Sequence, residues 1–188
     1  MQVRGDAFSP NQKARNFAYY EAITVRDSSL SACTQAVLAA ECGHLDLAYD
    51  YFGEAAMMDL ADLNQNTRDG LHIASLAGSW IAAVNGFGGL RDYEGRLSFA
   101  PRLPPSLTRL AFRVAWRGRR LKVEVRDHEA SYELIDGEAL EVTHHGDKVR
   151  VQPGRKTRVK VPPAPVRPEP RQPPGRAPRR RRVRPMGM

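Results

Sequence analysis

The chain has 188 residues, of which 41% are hydrophobic and 27% charged, and its formal net charge is +8. This length suits one packed domain or one and a half, and no apolar run reaches the roughly 18 residues of a membrane span. Met1–Asp6 lacks the apolar core of a signal peptide. The two cysteines, Cys33 and Cys42, form neither a metal-binding pattern nor a disulfide framework. We therefore expect a cytoplasmic protein without membrane contact.

The N-terminal part of the sequence predicts an irregular start followed by two helices. Residues 8–28 have few periodic apolar positions and are predicted as an irregular approach segment. Ser28 or Ser29 suits the N-cap of a helix that ends at Gly43, a residue typical of a left-handed C-cap. A second helix is predicted over residues 45–60. Because the linkers are short, neighbouring helices are expected to pack antiparallel.

A third helix is predicted from Asp69, which suits the N-cap position, to Gly86. Its apolar residues surround the helix axis on nearly every side: Leu71, Ile73, Leu76, Trp80, Ile81 and Val84. A helix that is apolar all round is buried, so we expect it to lie inside a larger body. His72 and Ser75 share one face near the N-terminus of this helix, where free N–H groups favour an anion.

The sequence period changes from helical to two in the C-terminal half. Apolar and mostly charged residues alternate over 110–116 and 121–126, and glycine-containing turns separate the later apolar runs. This pattern predicts a small antiparallel sheet or half-sandwich over residues 105–161. Trp80 and Trp116 are each expected to pack in the core and not to serve as sugar platforms.

The positive charge is concentrated in the tail. Residues 162–188 hold eight arginines and one acid, Glu169, so they carry 8 − 1 = +7 and the rest of the chain carries 8 − 7 = +1. The same 27 residues include nine prolines. Such a segment cannot bury enough surface to offset the entropy of ordering, and we predict disorder. Its arginines could contact nucleic-acid phosphates, but a solvated extension is the favoured interpretation.

Five segments together resemble a known family. They follow one another in unbroken order within residues 7–152: Tyr19–Ser31, Ala39–His44, Ala55–Leu60, residues 66–92 and Leu97–Pro104. They resemble glycoside hydrolase family 65, the maltose, kojibiose and trehalose phosphorylases and related hydrolases. The resemblance implies an α+β chain. Residues 1–92 would be the C-terminal helices of an (α/α)6 barrel, residues 93–161 a C-terminal β-sandwich-like domain, and residues 162–188 the disordered tail.

The resemblance also implies an inorganic-phosphate site formed by Ser28, Ser29 and His72. From the residues alone, a serine that caps a helix and a satisfied buried histidine are the favoured interpretations. With the resemblance, phosphate binding becomes the favoured one for His72 and for at least one of the serines. Arg26 could pair with phosphate, or Asp27 could pair with Arg26 and hold the loop.

Glu21 is a further candidate because it follows Tyr19 and Tyr20 in an aromatic setting. As a general base for water it would make the protein a hydrolase. A structural carboxylate is the favoured interpretation.

By resemblance, the reaction is cleavage of an α-linked disaccharide. It would proceed by inverting phosphorolysis, which releases β-glucose 1-phosphate, or by hydrolysis. Inorganic phosphate would be a co-substrate, and no metal or other cofactor is expected. The family's general acid is a glutamate in an Asp-Glu-Tyr/Phe-His-type segment that the printed sequence does not contain. We therefore expect a chain that is inactive alone and is completed by an N-terminal part or an upstream partner chain.

A non-catalytic protein is the alternative function. Its helical face would dock a partner and its basic tail would bind polyanions.

Overall fold

The computed structural model describes residues 5–181, and the α+β class is confirmed. Four α-helices come first, and the last of them continues as a π-helix over Ala82–Phe87. The helices are α1 (Pro10–Glu21), α2 (Ser31–Cys42), α3 (Leu45–Ala56) and α4 (Ile73–Ile81). Seven strands follow: β1 (Ser98–Phe99), β2 (Arg109–Trp116), β3 (Arg119–Arg126), β4 (Glu129–Asp136), β5 (Leu140–His144), β6 (Asp147–Val151) and β7 (Thr157–Lys160).

Helix α1 corrects the prediction that residues 8–28 are irregular. Ser9 begins the helix with a capping box: its hydroxyl accepts from the Gln12 N–H, and its own N–H donates to the Gln12 side chain. Only Phe17 and Glu21 of this helix are buried. A helix with so small a buried face has weak apolar periodicity, which is why the pattern was missed.

Helix α2 ends at Gly43 as predicted. Gly43 has a φ of 94°, which a glycine adopts without steric cost. Helix α3 then runs back along α2 and ends at Ala56, four residues before the predicted end. Helix α4 runs parallel to α2, because Gly78 packs on Cys33 and Gly86 packs on Val37.

Helix α4 differs from its prediction in two respects. Its N-cap is His72, while Asp69 lies exposed in a preceding 3-10 turn. Only one flank is buried, through Ser75 and Gly78. The opposite flank is solvent-exposed and includes Trp80, which is 58% exposed. Burial all round, and core packing of Trp80, are therefore wrong for this chain by itself, because no described element covers that flank.

The strands form two sheets, and the predicted antiparallel pattern is confirmed for all strand pairs except one. Strands β2, β3, β4 and β7 form one sheet in the order β2-β3-β4-β7. Strands β1, β5 and β6 form the other, in which β1 pairs parallel to β5. Trp116 is half-buried and packs against the core from β2.

The helices and the sheets share one hydrophobic core. This core joins Phe17 of α1 and Phe87 of the π-helix to Phe99 and Tyr132 of the two sheets. A Cβ atom added to Gly89 would lie 2.3 Å from the backbone of Ala100, so the two regions touch main chain to main chain. Packing is therefore continuous across the predicted boundary between residues 92 and 93, and the division into domains stays a prediction.

The described part of the tail, residues 162–181, contains neither helix nor strand. It lies across the helices, where Pro165 contacts Gly43 and the Arg181 N–H donates to Asp50 (2.7 Å). These contacts do not fit the predicted disorder for residues 162–181, and residues 182–188 of that prediction lie outside the described part. No helix within residues 5–181 is long and apolar enough to cross a membrane.

Candidate functional site

The three predicted phosphate-binding residues lie at one end of the helix layer. Cys33 of α2 and Gly78 of α4 are in contact, and the two helices run in the same direction. Helix α2 begins two residues before that contact and α4 five residues before it, which is roughly 3 and 8 Å along the helix axes at a rise of about 1.5 Å per residue. The N-termini of α2 and α4 therefore face the same side of the molecule.

His72 is held by a single carboxylate. Its ring Nδ1 lies 2.6 Å from Asp59 Oδ1, and its backbone N–H donates to Asp59 Oδ2 at 2.9 Å. Because a carboxylate only accepts hydrogen bonds, the proton in this contact is on Nδ1. Among the described residues, Nε2 has no hydrogen-bond partner. The imidazole is fixed in orientation with one nitrogen free to meet a ligand.

Neither serine caps helix α2. The N-cap is Leu30, and no side chain accepts from the first turn. The Ser28 hydroxyl instead accepts from the Leu30 N–H (3.3 Å) within the loop, and Ser28 is exposed while Ser29 is half-buried. The capping interpretation is therefore wrong, and N–H groups of the first helical turn remain without a side-chain acceptor.

Arg26 binds a partner that the sequence did not indicate. Its guanidinium pairs with both carboxylate oxygens of Glu54 and lies 4.6 Å from the centre of the Tyr51 ring. The side chain is only 7% exposed, so its charge is committed inside the protein. Asp27 pairs with Arg176 and not with Arg26. Both alternatives for Arg26, a phosphate contact and a pair with Asp27, are thus replaced by the pair with Glu54.

The loop also contains a strained residue. Arg26 has a φ of 60°, a left-handed conformation that costs a non-glycine residue about 1–2 kcal/mol. Tertiary contacts must hold it there. The sequence offered no signal for these contacts, because Glu54 and Arg176 lie 28 and 150 residues away.

Glu21 has the surroundings of a structural carboxylate. It is 2% exposed and accepts hydrogen bonds from Gln35 (2.8 Å), Gln172 (2.8 Å) and the Tyr51 hydroxyl. Burial raises the pKa of Tyr51, and the hydrogen bond to Glu21 raises it further. Tyr51 therefore stays protonated and donates to Glu21.

A second polar cluster lies where the helices meet the sheets. A cleft of about 350 Å³ is lined by Glu41, Arg91, Arg102 and His145 among others. Burial, and then the charge of Arg102, lower the pKa of His145 to about 4. Glu41 is paired with Lys13 and Arg91. Within residues 5–181, no group of His, Cys, Asp or Glu side chains is arranged to hold a metal ion.

Two family models match the chain. The model "Glycosyl hydrolase family 65 central catalytic domain" matches residues 1–81. The model "Glycosyl hydrolase family 65, C-terminal domain" matches residues 90–151. The first match contains Ser28, Ser29, His72 and Asp59, and the second contains six of the seven strands.

Relatives extend these matches. An uncharacterized glycosyl hydrolase of Mycobacterium leprae (strain TN) is 55% identical over 97% of the chain and 23% of its own length. An alpha,alpha-trehalose phosphorylase of Thermoanaerobacter brockii is 42% identical over 82% of the chain and 20% of its own length. A solved structure of a candidate kojibiose phosphorylase from the human microbiome superposes with a TM-score of 0.82 and 28% identity, covering 89% of the chain and 24% of that protein. The chain thus spans between a fifth and a quarter of the length of these relatives.

Proposed function

Because this chain belongs to glycosyl hydrolase family 65, we propose that it forms the C-terminal part of an enzyme that cleaves an α-linked disaccharide with inorganic phosphate. Ser28, Ser29 and His72 would bind the phosphate. The reaction would invert the anomeric centre and release β-glucose 1-phosphate. The enzyme would act in the cytoplasm.

The observation that carries this proposal is the state of His72. Its Nδ1 is bound to Asp59 at 2.6 Å, while Nε2 is unpaired among the described residues. A fixed imidazole beside a helix N-terminus without a side-chain cap can donate to an oxyanion together with two hydroxyls and backbone N–H groups. Asp59 would act as a positioning residue, since it selects the ring orientation.

Phosphorolysis is favoured over hydrolysis by what surrounds Glu21. An inverting hydrolase needs a carboxylate that is free to take a proton from water. Glu21 is the acid in this neighbourhood that the sequence suggested for the task, but it accepts three hydrogen bonds from protein groups. With Glu21 engaged in this way, a bound phosphate oxygen would be the nucleophile that attacks the anomeric carbon.

The remaining chemistry would come from another segment. Protonation of the leaving oxygen requires a carboxylic acid, which the family supplies from an Asp-Glu segment absent from the printed sequence. We therefore propose that these 188 residues are inactive alone. The exposed apolar flank of α4, with Ile73 and Trp80, supports the need for further helices.

A chimera tests this proposal. The chain would replace the matched fifth of the Thermoanaerobacter brockii trehalose phosphorylase, and phosphate-dependent release of glucose 1-phosphate from trehalose would be measured. We expect release from the chimera and none from the 188 residues alone. A folded chimera that yields only glucose, without any need for phosphate, would contradict the proposal in favour of hydrolysis.

The non-catalytic alternative has weaker support. Part of the tail's positive charge is used within the chain, because Arg176 pairs with Asp27. Polyanion binding that vanishes when residues 162–188 are deleted, together with an inactive but folded chimera, would favour it.

A further inference from the structure

The described part of the tail reaches the loop that precedes helix α2. Residues 162–181 lie beyond residue 151, where the family-model match ends. Even so, two of their side chains contact residues 21–27, the segment directly before Ser28. A solvated extension would make no such contacts, so residues 162–181 are packed against the loop.

Arg176 holds the loop from two directions. Its guanidinium pairs with the Asp27 carboxylate, and its backbone carbonyl accepts a hydrogen bond from the Arg26 guanidinium. Arg26 is the loop residue in the left-handed conformation. The contacts of Arg176 therefore act on the two residues immediately before the serine pair, at the point where the backbone is strained.

Gln172 bonds to two buried residues that lie next to the loop, Glu21 and Tyr51. Its side-chain N–H₂ donates to Glu21 at 2.8 Å and to the Tyr51 hydroxyl at 2.9 Å. The Tyr51 ring in turn faces the Arg26 guanidinium. The Gln172 amide thus connects the tail to Glu21, the last residue of α1, and to Tyr51, whose ring contacts Arg26.

We propose that residues 162–181 are a strap that fixes the loop of residues 22–30, with Gln172 and Arg176 as positioning residues for the serine pair. The strap itself is inferred from contacts within the chain. Only its purpose, to present Ser28 and Ser29 to phosphate, rests on the proposed function. A loop held in one conformation before phosphate arrives loses less entropy when phosphate binds.

Hydrogen–deuterium exchange of the full 188-residue chain, measured without phosphate, tests the strap. We expect Arg176→Asp to speed amide exchange in peptides covering residues 22–30 by about ten-fold or more, because it places two carboxylates side by side. The double variant Asp27→Arg/Arg176→Asp recreates the ion pair in reverse and should restore slow exchange. Arg171→Ala is the matched control, since Arg171 is exposed and forms no hydrogen bond or ion pair within the described residues.

A second pair of variants guards against local misfolding. Deletion of residues 162–188 should speed exchange over residues 22–30, whereas deletion of residues 182–188, which keeps the strap, should not. Unchanged exchange in Arg176→Asp and in the longer deletion would overturn the strap.

The exchange measurement and the chimera assay together separate the strap from the proposed function. If the strap is correct, exchange depends on Arg176 whether or not phosphate binds. A wild-type chimera that needs no phosphate would defeat the proposed function and leave that exchange result standing.

Discussion

Two histidines, one in each region of the molecule, show how the helical part differs from the sheet part. His144 of β5 is buried, accepts a hydrogen bond from the Tyr132 hydroxyl at Nδ1 (2.7 Å) and donates from Nε2 to the Lys160 carbonyl (2.9 Å). Burial lowers its pKa. The His72 ring forms one hydrogen bond, from Nδ1 to Asp59, and its Nε2 is unpaired among the described residues. A histidine with both nitrogens satisfied supports a fold, and one with a nitrogen to spare can serve a ligand.

The same contrast extends to the surroundings of each histidine. The sheets bury their apolar faces within this chain, as Val123 and Val151 illustrate. The helical part leaves the flank of α4 with Trp80 open to solvent. The apolar faces of the sheets are thus covered within this chain, whereas one flank of the helical part has no cover among the described residues.

The largest expected effect is the loss of phosphorolysis on replacing His72. In the chimera, His72→Asn should lower kcat/KM for phosphate by about 100-fold, in the range seen when one donor to a reacting oxyanion is lost. The asparagine amide can still donate to Asp59, so the melting temperature should stay close to that of the unsubstituted chimera. A rate within two-fold of the parent would remove His72 from the site.

Replacing His144 should have the reverse outcome. His144→Ala leaves the Tyr132 hydroxyl and the Lys160 carbonyl without partners and opens a cavity, at a cost of about 2 kcal/mol in the free energy of unfolding. Urea denaturation of the 188-residue chain measures this cost. The rate per folded molecule of chimera should not change, and a specific loss of rate would erase the distinction between the two histidines.

The pH dependence of stability should single out His145. Its pKa is about 4 in the folded state and 6.5 ordinarily. As the pH falls from 6.5 towards 4, the unfolded chain takes up a proton and the folded chain does not, so the free energy of unfolding decreases. With solvent screening, the part of this decrease that His145 causes is on the order of 1 kcal/mol. His145→Asn, which tolerates the left-handed turn at this position, should show a smaller decrease in denaturation curves recorded across that window. Identical pH dependence in the unsubstituted chain and in His145→Asn would contradict a lowered pKa of His145 in the folded state.

The smallest effect is expected at the open flank of α4. Trp80→Gln should change the free energy of unfolding of the isolated chain by less than about 0.5 kcal/mol, since an exposed side chain has few contacts to lose. In the chimera the same change should lower the melting temperature clearly if further helices cover this flank. Equal tolerance in both proteins would mean that nothing packs there.

The elements that the sequence predicted well are those with local causes. Gly43 ends α2 because a glycine adopts a positive φ, and this preference is visible in one residue. Strands β2 and β3 follow from alternation within each strand. Helix α1 also has a local signal, the capping box of Ser9 and Gln12, but its apolar periodicity is weak because only Phe17 and Glu21 are buried.

The contacts that were missed are long-range or depend on atoms outside the chain. The pair of Arg26 with Glu54 and the bond of Gln172 to Glu21 join residues 28 and 151 positions apart, and no local spacing encodes such pairs. The burial of Trp80 was predicted from its helix pattern. That pattern is typical of a buried helix, but residues 5–181 do not cover the flank on which Trp80 lies.

The close approach of Gly89 to Ala100 bears on how such a gene can be recombined. Any side chain at position 89 would strike main-chain atoms of the strand side, and the π-helix beside it ends in Phe87, one of the buried aromatic rings. A crossover point between residues 87 and 100 would bring together surfaces that had not been selected to fit each other. Productive exchanges between homologous genes should therefore carry the last helix and both sheets as a single inherited unit.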